Sequence, residues 1–320
     1  MVEFENGGAV AIKGFNFQKA AISLIAIKNF HKPNFHIFVE AKDDFEVKYD
    51  GYEAYIQVKS NKLSLKKLLN TKDGKSILEK NLSNGNKNSY FKIFVKSFAE
   101  TDIKKMIELS KGNICTPLYS YNDEQKKSIL DELKNSEKIE EFEDKLLSSY
   151  IYIPPFKDKL AEAIPVLLGE MALNEIDVSH KRGQIAVNEL FTLIDQKSEY
   201  IVKSEEDFQK KAILKEDLKN VFKLSSILDT FDELLESTLY SFFFKKQIKK
   251  EQLKITHFYS IEKKAAQERL IGFDLFSGTE DEVIKNAVRI CSESKKFLSL
   301  NDPSKIAIVI EVLAEMSEGL

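Results

Sequence analysis

The chain has 320 residues, of which 43% are hydrophobic and 31% charged, with a formal net charge of −3. This is ordinary globular composition, able to bury a proper core, and the length allows one to three domains. No run of eighteen apolar residues occurs, which predicts no membrane span, and Cys115 and Cys291 stand alone without CxxC spacing. That excludes a zinc knuckle or disulfide framework and reads as cytosolic.

The first nine residues are acidic and glycine-containing, unlike a signal or transit peptide. A helix is expected from 14 to about 30, where Ala20, Ala21, Leu24, Ile25 and Ile27 recur at helical spacing. Their arc is wide, so burial on more than one side is expected. Pro33 ends this helix. Strands are expected at 35–40, 44–49 and 54–59, with Asp50-Gly51 as a hairpin signal between the last two. Next come a lysine-rich helix at 64–69, a shorter one at 76–82, and a mobile polar loop over 81–89. A strand at 90–98, a helix at 100–110 and a strand at 116–121 follow. This order predicts an α/β layout around one mixed sheet.

After residue 122 the character changes. Residues 123–149 are highly charged and helical, and 150–155 form a short extended segment broken by Pro154 and Pro155. This segment marks the expected seam between domains 1–150 and 151–320. Helix-periodic stretches at 157–172, 183–193, 205–214, 215–222, 227–244, 261–271, 280–297 and 303–315 predict an all-α second domain. The apolar run 240–244 is expected in its core.

The chemistry concentrates early. Val39 to Val47 holds Glu40, Asp43 and Asp44, and the next strand carries Gln57 and Lys59 two residues apart, hence on one face. An acid followed by a Gln-x-Lys pair is the spacing of a metal-dependent phosphodiesterase centre. Asp44 and the Gln57 oxygen would hold a hard divalent cation. Lys59 would stabilise charge building on phosphorus or orient the attacking water. Asp43 stands as the alternative to Asp44, Glu40 as a further ligand or a partner of Lys42 or Lys59, and Gln18 as a hydrogen-bonding neighbour. From Ser60 to Lys96 there are nine lysines against two acids, Asp73 and Glu79. Such a stretch attracts phosphate backbones by counterion release, and Lys62, Lys66 and Lys67 are the candidate DNA contacts. The four histidines are scattered, and no Gly-rich phosphate loop occurs, which argues against ATP hydrolysis.

Gly14-Phe15-Asn16-Phe17-Gln18 opening a helix, then Glu40 to Asp44, then Ile56-Gln57-Val58-Lys59, resembles the double-stranded-DNA endonuclease domain of bacterial anti-phage effectors. That domain belongs to the QxK branch of the PD-(D/E)xK superfamily. It occurs fused to a nucleotide-sensing module in CBASS systems and as a nuclease subunit beside an SMC-like ATPase in Lamassu-type systems. The resemblance covers roughly residues 8 to 120. It implies Asp44 and Gln57 on the metal side, with Mg²⁺ or Mn²⁺, Lys59 as the catalytic lysine, and Gln18 and Glu40 as supporting residues. The usual third-strand acid is replaced by Gln57, which leaves Glu40 or Asp43 to supply the missing charge. The helical half does not resemble a cyclic-oligonucleotide sensor, which points to the stand-alone, partner-controlled arrangement.

Two readings of function follow. One is a metal-dependent endonuclease acting on double-stranded DNA, held inactive by partner subunits and self-associating when active, with the helical half as docking module. The other is a non-catalytic scaffold or nucleic-acid-binding subunit with the same fold.

Overall fold

The computed structural model describes residues 6–71, 74–134, 136, 139–176 and 180–317. Residues 1–5, Lys72, Asp73 and the link at 177–179 lie outside them, as do the side chains of His180 and His257. The chain divides into two compact units, Met1–Asp177 with Gly183–Val221, and Val178–Arg182 with Phe222–Leu320.

The first unit opens with α1 (Gly7–Asn29), β1 (His36–Val39), β2 (Phe45–Tyr49) and β3 (Tyr52–Leu63). Then come α2 (Leu65–Leu68), α3 (Ile77–Leu82), β4 (Tyr90–Phe98), α4 (Glu100–Ile103), β5 (Ile107–Leu109) and β6 (Leu118–Ser120). They are followed by α5 (Asp123–Leu133), α6 (Ile139–Leu146), β7 (Ser149–Tyr152), α7 (Leu160–Leu173), α8 (His180–Ser198), α9 (Glu205–Lys210) and β8 (Ala212–Leu214). All eight strands form one mixed sheet in the order β5-β6-β7-β4-β3-β2-β1-β8. The β2–β3 turn is tight because Asp50 (φ 37°) and Gly51 (φ 76°) both take left-handed backbone, matching the twist of the flanking strands.

In α1, Ala20, Ala21, Ile22, Leu24, Ile25, Ala26 and Ile27 are all buried, and the helix packs against β3 and α7. Among the described residues α1 alone is long and apolar enough to cross a membrane. Its apolarity is accounted for by its place in the core. On the other face of the sheet, Tyr55, Phe91, Ile93 and Val95 meet Leu78 and Leu82 of α3, Ile129 and Leu133 of α5, and Phe142 and Leu146 of α6.

The second unit takes the remainder of α10 (Lys215–Ser237), then α11 (Phe242–Gln252), α12 (Ile255–Phe258), α13 (Ser260–Arg269), α14 (Glu280–Ser292) and α15 (Asp302–Ser317). α15 is its axis, with every residue from Ile306 to Ala314 buried, packed by α11, α13 and α14. Lys263 reaches Glu311 and Glu315, both at 2.6 Å.

Several expectations are corrected. The seam expected at 150/151 falls inside β7, which pairs with both β4 and β6. Cutting there would split a strand in the interior of the sheet. The sheet followed by a helical unit is as expected, but residues 212–214, expected in the helical half, form β8, pair antiparallel with β1 and belong to the first unit. Residues 107–109, expected helical, form β5 against β6. Pairing of these three residues with the next strand overrides weak helical periodicity. Helix α10 runs unbroken through 222–227, whereas 227–244 is interrupted: Ser241 caps a new helix, its Oγ accepting from the Phe244 N–H. Within the aromatic run, Tyr240 and Phe244 join the core, but Phe242 and Phe243 are exposed.

Candidate active site

The site forms where the β1–β2 loop meets the middle of β3. Glu40 follows β1 with a left-handed backbone (φ 50°), and its N–H donates to the Asp44 carbonyl at 3.0 Å. The loop is further held by the Lys42 N–H, which donates to Glu46 Oε1 at 3.1 Å. Phe45 pairs with Ile56 across β2 and β3, so Asp44 arrives beside Gln57. Tyr55, Gln57 and Lys59 alternate onto one face of β3. The β3–β4 pairing slips just after Lys59, an irregularity of the kind that re-aims side chains at strand ends.

Asp44 Oδ2 accepts the Val58 N–H at 2.6 Å and lies 3.4 Å from Lys59 Nζ. Its Oδ1 accepts no hydrogen bond among the described residues. Gln57 is buried, and its Oε1 has no donor among the described residues. A buried acceptor left without a partner costs about 1–3 kcal/mol, so this oxygen calls for a ligand. Glu40 does not pair with Lys42 or Lys59. Its Oε1 accepts from Gln18 Nε2 at 2.6 Å, and the same Nε2 reaches the Asp44 carbonyl at 3.3 Å.

Asp43 turns towards α3. Its Oδ2 accepts from Asn81 Nδ2 at 2.7 Å and Asn84 Nδ2 at 3.3 Å, while its Oδ1 accepts the Asp44 N–H at 3.0 Å. Burial pushes the Asp43 carboxyl up to about 6; Asn81 opposes that shift and the neighbouring Asp44 charge adds to it. Glu40, Asp43, Asp44 and Gln57 line one open cavity of about 440 Å³, rimmed by Lys42, Lys75, Lys80, Ser83 and Asn84. A second cavity of about 560 Å³ on the other side of Glu40 is lined by Phe15, Gln18, Lys19, Asp195, Glu199 and Lys211 among others.

The structure therefore brings together Gln18, Glu40, Asp43, Asp44, Gln57 and Lys59. It does not bring Lys62, Lys66 and Lys67 to the cavity. Lys66 and Lys67 line a separate groove with Asp102 and Glu132, and Lys67 Nζ donates to the Lys62 carbonyl at 3.3 Å. Two other lysines of the basic stretch are not free surface charges: Lys92 is buried among Tyr52, Tyr90 and Tyr150, and Lys96 pairs with Asp158 at 3.1 Å.

Sequence reasoning missed Glu46, Asn81 and Lys80. Glu46 reads as an outward strand residue but is fully buried, with Lys48 at 3.5 Å, and burial raises its pKa. Asn81 was expected where the 76–82 helix passes into a mobile loop, and it sits buried in α3. Its position one residue before Leu82, which closes the Leu78/Leu82 apolar pair four apart, was the available signal. Among the described residues, no group of three or more His, Cys, Asp and Glu side chains is placed to hold a metal.

Comparison with known proteins gives three findings. The family model described as Cap4, dsDNA endonuclease domain, matches residues 6–198. The chain is 36% identical over 321 residues to Lamassu protein LmuA of a Bacillus species, covering 99% of this chain and all of that one. Among solved structures, the Cap4 SAVED/CARF-domain containing receptor of Moraxella osloensis is 14% identical over 66% of this chain and 47% of its own, with a TM-score of 0.40. That of Acinetobacter baumannii with the cyclic trinucleotide 3′3′3′-cAAA is 15% identical over 71% of this chain and 52% of its own, with a TM-score of 0.41. The chain spans about half the length of these receptors.

Proposed function

Because the chain belongs to the Cap4 double-stranded-DNA endonuclease domain family, we propose that it hydrolyses phosphodiester bonds of duplex DNA at the cavity lined by Asp44 and Gln57, with Lys59 beside Asp44. The observation that carries this reading is that Asp44 and Gln57 line one cavity, Lys59 lies 3.4 Å from Asp44, and the buried Gln57 oxygen lacks a donor.

The residues present fit a hard divalent cation. Asp44 Oδ1 and Gln57 Oε1 are oxygen donors without competing hydrogen bonds, and Asp43 and Glu40 add nearby negative charge. The absence of a denser acidic cluster among the described residues favours Mg²⁺ or Mn²⁺, because Mg²⁺ keeps several waters and needs only one or two carboxylates. When bound, the ion supplies charge neutralisation at phosphorus and lowers the pKa of water. The protein does the rest. Val58 fixes the Asp44 carboxylate, Gln18 fixes Glu40, and Lys59 places its ammonium beside the scissile phosphate, where it stabilises developing charge or orients the water. Lys62, Lys66 and Lys67 extend the basic surface along the duplex.

The full-length likeness to a Lamassu protein supports the role of nuclease effector in bacterial anti-phage defence, working in the cytoplasm with partner subunits, an SMC-like ATPase among them. A nuclease that reads only the backbone would cut the host chromosome, so partners hold it inactive until triggered. One such centre cuts one strand at a time, so double-strand cleavage calls for self-association. The helical unit, with exposed Phe242 and Phe243, serves as the docking module.

The test is incubation of purified protein with supercoiled plasmid in Mg²⁺ and in EDTA, alone and with the products of neighbouring genes. Metal-dependent nicking or linearisation that disappears in Lys59→Ala supports the reading. Absence of cutting under all these conditions, with no Mg²⁺-linked stabilisation, overturns it in favour of a scaffold.

A further inference from the structure

One short helix closes the cavity opposite β3. Leu78 and Leu82 of α3, four residues apart, are fully buried and seat it on the sheet. Its N-terminus is capped by Ser76 Oγ, which accepts the Glu79 N–H at 3.1 Å. At the other end the buried Lys145 ammonium donates to the carbonyls of Leu82 and Asn84, both at 3.0 Å. A cation on the last carbonyls of a helix is favourable and immobilises that end. The helix is therefore fixed at both termini and along its apolar side.

From this fixed piece two sets of side chains diverge. Asn81 is fully buried, and its Nδ2 reaches both Asp43 Oδ2 and the Tyr55 carbonyl, the latter at 3.2 Å. Asn84 reaches the same Asp43 oxygen. Lys80, between them and the helix start, is exposed on the cavity rim together with Lys75. The one acid of α3, Glu79, is turned away and accepts from Ser136 Oγ at 3.0 Å. The floor of the cavity is acidic and its α3 rim is cationic. A polyanion approaching such a floor is favoured over that rim.

We propose that α3 is the substrate-gripping element of this centre: Lys80, with Lys75, receives the phosphodiester backbone beside the scissile bond, while Asn81 and Asn84 hold Asp43. The grip and the amides that hold the Asp43 carboxylate then sit on one fixed segment, so a bound duplex is registered against Asp43 through α3 and its flanks. Asn81 and Asn84 are positioning residues. This rests on the nuclease reading above and adds to it the residues that meet the backbone.

The experiment uses the full chain and a fluorescent duplex of defined sequence, with binding followed by anisotropy in EDTA across a salt series. Lys80→Ala should weaken binding and lower the slope of log affinity against log salt by about one, and Lys80→Arg should restore both. Asn81→Ala and Asn84→Ala should leave the slope unchanged but weaken Mg²⁺, read as thermal stabilisation against Mg²⁺ concentration, by roughly tenfold. Asn84→Ala loses only two long hydrogen bonds, to Asp43 Oδ2 and to the Lys80 carbonyl, both at 3.3 Å, so it keeps this arm readable where Asn81→Ala fails to fold. A Lys80→Ala protein with wild-type affinity and slope overturns the grip. Wild-type Mg²⁺ response in Asn84→Ala and in folded Asn81→Ala overturns the positioning role. Wild-type protein that binds no duplex at any salt overturns the nuclease reading itself.

Discussion

The Val58 backbone N–H and the Asp44 carboxylate are joined by a 2.6 Å hydrogen bond. The acid is thus oriented by the same strand that carries Gln57 and Lys59 on either side of Val58. Because the donor is main chain, only proline at 58 would remove it, and Asp44 is directed wherever β3 goes.

Lys59→Ala should abolish cleavage while leaving the fold intact. The lysine side chain is about one-third exposed and its ion pair with Asp44 is long, at 3.4 Å, so stability should change by less than about 0.5 kcal/mol. Losing a charge aimed at the transition state costs about 10²–10³ in rate. Plasmid cleavage and a thermal melt on the same preparation check both halves. A cutting variant would show that another group does this work.

Gln57→Met separates a structural glutamine from a metal-side one. Methionine removes a buried oxygen without a donor, so stability in EDTA should hold or rise by about 1 kcal/mol. The additional stabilisation by Mg²⁺ should disappear. If the variant is markedly destabilised in EDTA, the glutamine is a structural hydrogen-bonding residue.

Lys92 predicts a pH signature. Burial lowers its pKa to about 8, below the unfolded value, so folding at neutral pH requires burying a charge that the unfolded chain keeps in water. That cost is full below pH 8 and is relieved as pH rises from 8 towards 10.5. Relative to Lys92→Met, the wild type should gain roughly 3 kcal/mol across that window. Buried tyrosines and cysteines also affect stability in this range, but they are common to both proteins and largely cancel. Urea titrations of both proteins at pH 7.5 and 10 measure the difference. A difference that does not change with pH would show that the lysine is neutral or solvated.

A chain ended at residue 150 should not fold. It lacks half of β7, all of α7 against α1, and β8 against β1. A chain ended at 221 retains the whole sheet. Circular dichroism and proteolysis of the two fragments decide this, and a cooperative melt of the shorter one would refute it.

The part of the site that was legible in the sequence is the part built by local pairing. β1, β2 and β3 are consecutive, their alternation is short-range, and a two-residue turn sets the β2–β3 register, so the spacing of Asp44, Gln57 and Lys59 along the chain is enough to align them. Gln18 was within reach of the same reasoning through its place on α1. The rest depends on partners outside this β1–β3 unit. β5 and β8 have three residues each, too few to express a period of two, and they exist because β6 and β1 offer free edges. Asn81 looks like the start of a polar loop until Asp43 is brought to it, and Lys92 looks like one more surface lysine until three tyrosines enclose it.

The position of β8 imposes a timetable on biosynthesis. β1, which leads into Glu40, has an unpaired outer edge until residues 212–214 have been made. Strand β3, which carries Gln57 and Lys59, ends some 150 residues earlier, a lag of roughly ten to thirty seconds at ordinary ribosomal speeds. Throughout that interval the nascent chain carries every acid, glutamine and lysine of the centre but not the completed sheet. The order of translation therefore sets when these side chains first stand on a fully paired sheet, long after all of them have been made.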